Sequence, residues 1–124
     1  MRILSVDDSR LIRMYVKSAA DVLGFEFCEA IDGESALALL SREGEQVDLV
    51  LLDWHMPRMN GLEVLKRIKA DERLKRIPVT MVTTEVEREN VIEAVAAGAA
   101  SYLTKPFSQE ALMGKILESL GMAQ

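Results

Sequence analysis

The chain has little cysteine and few aromatic residues. It has one cysteine, Cys28, among 124 residues, and aromatic side chains make up only 5% of the composition. A single cysteine excludes an intrachain disulfide, which agrees with a reducing compartment such as the cytoplasm. The short N-terminal apolar stretch in MRILSVDDS is broken by acidic residues. It predicts neither a signal peptide nor a membrane span.

A surplus of basic residues is also absent. The chain has 15 Lys and Arg against 20 Asp and Glu, for a formal net charge of -5. Binding to nucleic acid or to an anionic membrane draws on excess positive charge, so we expect neither partner. No glycine-rich loop follows the first apolar run, where VDDSR offers carboxylates instead. This argues against a nucleotide-binding domain, because carboxylates repel phosphates unless a cation is present.

Short apolar runs alternate with amphipathic segments along the whole chain. The length is that of one compact domain, and we predict a single domain over residues 1–124. The predicted strands are Ile3–Val6, Phe25–Ala30, Val47–Leu52, Pro78–Thr83 and Ala100–Thr104. The predicted helices run from Ser9 to Leu23, from Gly33 to Arg42, from Gly61 past Ile68, from Val86 to Ala97, and from Ser108 to Gly121.

This alternation predicts an α/β fold with a doubly wound parallel sheet. Short connections between strands and helices favour parallel strands with helices on both faces. The third strand, VDLVLL, is almost uniformly apolar, as expected for a strand covered on both sides. In such a sheet the residues that follow the strands gather at one edge, where ligands bind.

Chemically active side chains follow the predicted strands at this edge. Asp7 and Asp8 follow the first strand, Asp53 the third, Thr83 ends the fourth, and Lys105 follows the fifth. Taken singly, each of these residues could have a purely structural role in a helix cap, a turn or a strand end. Together, three carboxylates need a cation, and hard oxygen ligands favour Mg²⁺. Asp53 beside a metal and an ammonium is arranged as a nucleophile toward phosphorus.

These motifs resemble the receiver domain of bacterial two-component response regulators. VDDS, DWHMPRMNG, MVTTE and SYLTKPF each follow the strand where that family has them. The resemblance covers the whole chain and is strongest to the single-domain chemotaxis response regulator, through DWHMPRMNGLEVLK and the terminal LESLGM. It implies a flavodoxin-like (βα)5 fold with strand order 2-1-3-4-5, which periodicity alone does not reveal.

The resemblance also implies roles for the acidic residues. Asp53 matches the phosphoacceptor, and Asp8 matches the acidic residue that binds Mg²⁺ directly. Asp7 is expected to act on the ion mainly through water. The backbone carbonyl of His55 is expected to complete the metal site.

Three further positions match the switching parts of the family. Thr83 matches the hydroxyl that turns toward the phosphoryl group, and Tyr102 matches the aromatic ring that moves inward after it. Lys105 matches the lysine of the site, with a cis bond to Pro106. The helix over residues 86–97, with Val91, Ile92 and Val95 expected to anchor it, is then a candidate movable element. Its alternative is an ordinary surface helix.

The implied phosphodonor is a phosphohistidine on a sensor histidine kinase. The implied output is a protein target such as a flagellar motor switch protein, bound by a cytoplasmic monomer. Alternatives are a phosphorelay intermediate, a receiver that docks without phosphorylation, and a small Mg²⁺-dependent aspartyl-phosphate phosphatase. The phosphatase would place a second Asp where His55 stands. We expect only self-directed chemistry and no turnover of a substrate.

Two positions are candidates for setting the lifetime of the phosphoryl group. The chemotaxis relative carries Asn at the position of His55, and Glu85 lies two residues beyond Thr83. The His55 imidazole is expected to obstruct the attacking water or to act on it as a base; its alternative is a solvent-exposed side chain without a kinetic role. Trp54 is expected to be partly exposed, with fluorescence that responds to Mg²⁺.

Overall fold

The computed structural model describes residues 1–84 and 88–122 of the chain. Five strands and five helices alternate within these residues, with a single 3₁₀ turn at Gly44–Gln46 before the third strand. The elements are β1 (Arg2–Val6), α1 (Arg10–Leu23), β2 (Glu26–Ala30), α2 (Gly33–Glu43), β3 (Leu49–Asp53), α3 (Gly61–Ala70), β4 (Val79–Thr83), α4 (Arg88–Ala96), β5 (Ser101–Thr104) and α5 (Gln109–Ser119).

The strands form one parallel sheet in the order β2-β1-β3-β4-β5, which confirms the predicted fold and order. The chain first adds β2 on one side of β1 and then crosses to place β3 on the other side. This change of direction opens a crevice at the carboxyl ends of β1 and β3, which is the usual ligand site of such sheets.

Helices cover both faces of the sheet, and each face has its own core. Side chains of α1 and α5 pack on one face, including Val16, Ala20, Leu112 and Ile116. Side chains of α2, α3 and α4 pack on the other. Every residue of β3 and β4 is buried, which agrees with the apolar side chains on both faces of β3; Asp53, Thr80 and Thr83 are the buried polar residues of the two strands. Among the described residues, no helix is long and apolar enough to span a membrane.

Local signals in the sequence fix the ends of α1. The Ser9 side chain accepts a hydrogen bond from the backbone N–H of Ile12, as a helix N-cap does. Gly24 ends the helix with φ 76°, a left-handed conformation that glycine adopts without a steric cost. The helix therefore starts directly after Asp7 and Asp8, and the Ser9 cap fixes the end of the short connection that carries them.

The expected anchors of α4 are wrong in part. Ile92 and Val95 are 59% and 63% exposed, whereas Ala94 is buried and Val91 is half-buried. The helix packs through Ala94, which belongs to the same core as Trp54, and Val91 and Ala94 line one small cavity with Trp54. The apolar side chains of Ile92 and Val95 consequently face solvent.

Trp54 also differs from the expectation, because its side chain is only 8% exposed rather than partly exposed. Its backbone N–H donates to the carbonyl of Val82, so the β3–β4 ladder continues one residue past the end of the strand. The indole packs into the core on the α2–α3–α4 face. Trp54 is therefore a buried reporter next to Asp53.

Candidate functional site

Three carboxylates meet at the carboxyl ends of β1 and β3. Val6 pairs with Leu52 in the sheet, so the residues that follow β1 stand beside the end of β3. One oxygen from each of Asp7, Asp8 and Asp53 lies within 4.8 Å of the other two. Asp7 and Asp53 are buried, whereas Asp8 is exposed. The grouping expected from the topology is therefore present.

Lys105, which follows the edge strand β5, donates hydrogen bonds to two of these carboxylates. Its ammonium donates to Asp7 Oδ2 at 2.9 Å and to Asp53 Oδ1 at 3.3 Å. The Lys105 side chain is only 14% exposed. The peptide bond to Pro106 is cis, as the family resemblance implies. A single positive charge thus faces two buried negative ones, which leaves the cluster negative overall.

The electrostatics of the cluster follow from burial and mutual repulsion. Burial and the charge of Asp7 raise the pKa of Asp53 to about 6, against the opposing effect of Lys105. For Lys105, burial acts to lower the pKa, but the hydrogen bond to Asp7 and the charge of Asp53 outweigh it and raise the pKa. The Lys105 ammonium therefore stays charged, and a further cation would stabilise the ionised form of Asp53.

The donor set fits a hard divalent cation. Both oxygens of Asp7 already accept hydrogen bonds, Oδ1 from the Ser9 backbone N–H at 2.9 Å and Oδ2 from Lys105. Within residues 1–84 and 88–122, no hydrogen bond engages the exposed carboxylate of Asp8. Asp8 is thus the carboxylate best placed to contact an ion directly. Oxygen ligands in a partly open cluster are what Mg²⁺ prefers, since it keeps several waters.

Thr83 lies at the end of β4, and Tyr102 lies within the neighbouring strand β5. Thr83 ends β4, is 5% exposed, and accepts a hydrogen bond from the Lys105 backbone N–H at its own carbonyl. Tyr102 on β5 is 40% exposed. Both residues border a cavity of about 10 Å³, whose other lining residues are Trp54 and three residues of α4: Asn90, Val91 and Ala94. The cavity is far smaller than a phenol ring, so the ring can enter only if a neighbour moves.

The two positions expected to set the phosphoryl lifetime are placed differently. His55 is exposed, two residues beyond Asp53. Glu85 lies outside the described residues. Two contributors to the site were not anticipated: Gly61, which packs against the Asp53 backbone, and Arg13, which binds the carbonyl of Asp7. The Asn60-Gly61 pair in the sequence signals a helix start, and nothing in that signal reveals the close approach.

The fold and the acidic site are those of a signalling receiver, and residues 3–117 match the family model described as the response regulator receiver domain. The chain belongs to this family. It is 44% identical over 117 residues to the chemotaxis protein CheY of Pseudomonas aeruginosa, covering 94% of this chain and 93% of that one. It is 46% identical over 117 residues to CheY-3 of Vibrio cholerae, covering 94% and 88%.

Solved structures agree with this assignment. The Vibrio cholerae chemotaxis protein CheY4 superposes with a TM-score of 0.90 at 35% identity, over 96% of this chain and 98% of that one. The Mn²⁺-bound form of response regulator Rcp1 gives a TM-score of 0.85 at 30% identity, over 99% and 96%. Proteins of this family act in two-component signalling and are not classical enzymes.

Proposed function

We propose that this protein accepts a phosphoryl group on Asp53 from a phosphohistidine of a sensor histidine kinase and signals by changing a protein-binding surface. The observation that carries the proposal is the bridge from Lys105 to both Asp7 and Asp53 beside the exposed Asp8. It joins a nucleophile, a positive charge and a cation site at one point. The similarity to chemotaxis proteins supports a role in motor control.

The nucleophile of the proposed reaction is a carboxylate oxygen of Asp53. An Asp53 oxygen attacks phosphorus, the P–N bond to the donor imidazole breaks, and the imidazole leaves with its electron pair and takes up a proton. The product is an acyl phosphate on Asp53. The Lys105 ammonium, already 3.3 Å from Asp53 Oδ1, neutralises charge on the transferred group. No other protein group has to form a covalent bond.

Mg²⁺ is the cofactor that the donor set fits, with Asp8 and Asp53 as carboxylate ligands, Asp7 acting through water, and the His55 carbonyl completing the set. The ion supplies charge neutralisation for the phosphoryl oxygens and for the three carboxylates. The existence of a Mn²⁺-bound form of response regulator Rcp1 supports a divalent cation in a fold of this type.

The proposed switch starts from Thr83. A phosphoryl group on Asp53 adds negative charge and acceptor oxygens, which attract the Thr83 hydroxyl and Lys105. Movement of Thr83 enlarges the small cavity that it borders with Tyr102. The exposed Tyr102 ring then moves inward, and the surface that carries Tyr102, Ile92 and Val95 changes shape. We propose that a motor switch protein reads this surface of a cytoplasmic monomer.

Phosphorylation with a small donor tests the proposal directly. The protein is incubated with acetyl phosphate and Mg²⁺ and its intact mass is measured, with Asp53→Asn as the matched control. We expect the wild type to gain one phosphoryl group and the control to gain none. Omitting Mg²⁺ with EDTA should abolish the gain. Steady turnover of a phosphomonoester would contradict the proposal and favour the phosphatase alternative.

A further inference from the structure

Arg13 binds the acidic connection between β1 and α1 from its outer side. Its Nη1 donates to the backbone carbonyl of Asp7 at 2.7 Å, and its Nε donates to Glu29 Oε1 at 2.6 Å. The Arg13 side chain is only 11% exposed, although it carries a full charge. A nearly buried guanidinium with two short bonds is held in one orientation.

These bonds tie the connection to the neighbouring strand. Glu29 is the penultimate residue of β2, and the Asp7 backbone N–H donates to the carbonyl of Ala30 at its end. Asp7 is therefore held at three points besides Lys105: its N–H by β2, its carbonyl by Arg13, and its carboxylate by the Ser9 N–H. Asp8 follows in the same short connection.

The charges at the site make such a restraint useful. The carboxylates of Asp7, Asp8 and Asp53 repel one another, and Lys105 contacts only two of them. Repulsion acts to move the connection that carries Asp7 and Asp8 away from β3. Arg13 opposes this movement through the backbone, so the carboxylate oxygens remain available to an ion.

We infer that Arg13 is a positioning residue for the cation site, which holds the β1–α1 connection so that Asp8 binds Mg²⁺ together with Asp53 and Asp7 acts on the ion through water. The inference rests on the proposed function, since it assumes that the cluster takes Mg²⁺. Arginine suits this role because its planar fork reaches the Asp7 carbonyl and the Glu29 carboxylate at once. A lysine has one ammonium and cannot reproduce both bonds in the same plane.

The test is a Mg²⁺ titration of the wild type, Arg13→Met and Arg13→Lys. The fluorescence of Trp54 serves as the readout, because Trp54 is the only tryptophan and adjoins Asp53. Outer-shell residues of metal sites typically contribute about 10-fold to 100-fold in affinity, so we expect Kd to rise at least about tenfold in Arg13→Met. Arg13→Lys should recover part of this loss. Lys17→Met, one turn further along α1 and paired with exposed Asp21, should bind Mg²⁺ like the wild type.

A second measurement separates positioning from general stabilisation. Initial rates of phosphorylation by acetyl phosphate are measured as a function of Mg²⁺. We expect Arg13→Met to need more Mg²⁺ for half-maximal rate and to approach the wild-type rate at saturation. Lower unfolding stability with an unchanged Kd for Mg²⁺ would overturn the inference.

Glu29→Gln keeps the inference testable should Arg13→Met fail to fold, because it removes the ion pair and leaves the Arg13 bond to Asp7. A weaker affinity for Mg²⁺ in Glu29→Gln supports the inference, and an unchanged one in both Glu29→Gln and Arg13→Lys contradicts it. If the wild type itself bound no Mg²⁺, the metal site of the proposed function would fail, and the inference with it.

Discussion

Gly61 lies so close to Asp53 that a Cβ atom on Gly61 would overlap the Asp53 carbonyl oxygen. The same Cβ would stand 2.9 Å from the Cα of Trp54 and from Cε of Met81. The start of α3 is thus packed directly on the end of β3, and the Gly61 N–H donates to the Trp54 carbonyl at 2.8 Å. Because the Asp53 carbonyl oxygen and the Trp54 Cα are backbone atoms, they cannot move aside without moving Asp53.

We therefore expect Gly61→Ala to displace Asp53 and to impair stability and phosphorylation together. Overpacking of this kind typically costs about 1–3 kcal/mol, measured here by urea unfolding. The rate of phosphorylation by acetyl phosphate should fall as well. Gly121→Ala is the control: its Cβ meets no atom within 4 Å, so only its φ of 72° adds a cost. An unchanged phosphorylation rate in Gly61→Ala would contradict the prediction.

The raised pKa of Asp53 predicts a pH-dependent effect of neutralising this residue. In the folded protein the pKa is about 6, against an ordinary value of 3.8, so the folded state prefers the protonated form. Ionisation therefore weakens folding as pH rises from 3.8 through 6, and the loss is complete at pH 7. In EDTA at pH 7, we expect Asp53→Asn to be more stable than the wild type by about 1–3 kcal/mol.

Urea unfolding at several pH values checks this prediction. The advantage of Asp53→Asn should shrink as pH falls through 6 and disappear only below 3.8, where the wild-type carboxyl is neutral in the folded and the unfolded state alike. Mg²⁺ should reduce the advantage at pH 7, because it stabilises the wild-type carboxylate. A stability difference that stayed constant with pH would rule out the carboxyl charge as its cause.

Arg58 offers a separate test of the connection between β3 and α3. Among the described residues it is the one non-glycine residue with a positive φ, 68°, and its guanidinium lies 3.2 Å from Asp32. Both Arg58→Gly and Arg58→Ala remove this ion pair, so they differ mainly in backbone preference. We expect the glycine variant to be the more stable by about 1 kcal/mol in urea unfolding. At ordinary positions the order is the reverse, since glycine is more flexible when unfolded.

The topology explains why the site could be predicted from the sequence. Asp7, Asp53, Thr83 and Lys105 are far apart in the chain, but each lies at the carboxyl end of a strand. Parallel strands bring such ends to one edge whatever the details of packing. The strand order itself came from the family resemblance, because hydrophobic periodicity carries no information on which strands are neighbours.

Features that depend on packing between elements were not predictable in the same way. In α4, Val91, Ile92 and Val95 are apolar on more than one side of a nine-residue helix, so periodicity leaves its inward face undecided. In the structure Ala94 takes the buried position, in the same core as the buried Trp54, and neither burial can be read from the sequence. Arg13 gave no signal, because a charged residue on an amphipathic helix normally faces solvent.

The exposed imidazole of His55 follows Asp53 by two residues. We expect the imidazole to obstruct the water that hydrolyses the acyl phosphate. His55→Asn should then shorten the phosphoryl lifetime by roughly fivefold, which corresponds to about 1 kcal/mol of activation free energy. The measurement is the decay of the phosphorylated protein, by intact mass, after acetyl phosphate is removed.

The opposite direction of change would identify a different role. If the imidazole acted as a base toward water, His55→Asn would decay more slowly than the wild type. We expect the wild type and His55→Asn to bind Mg²⁺ with the same affinity, because the substitution keeps the backbone carbonyl of residue 55, which is the proposed ligand. Equal decay rates would show that the exposed side chain has no kinetic role, and the lifetime would then have to be set by other residues around Asp53.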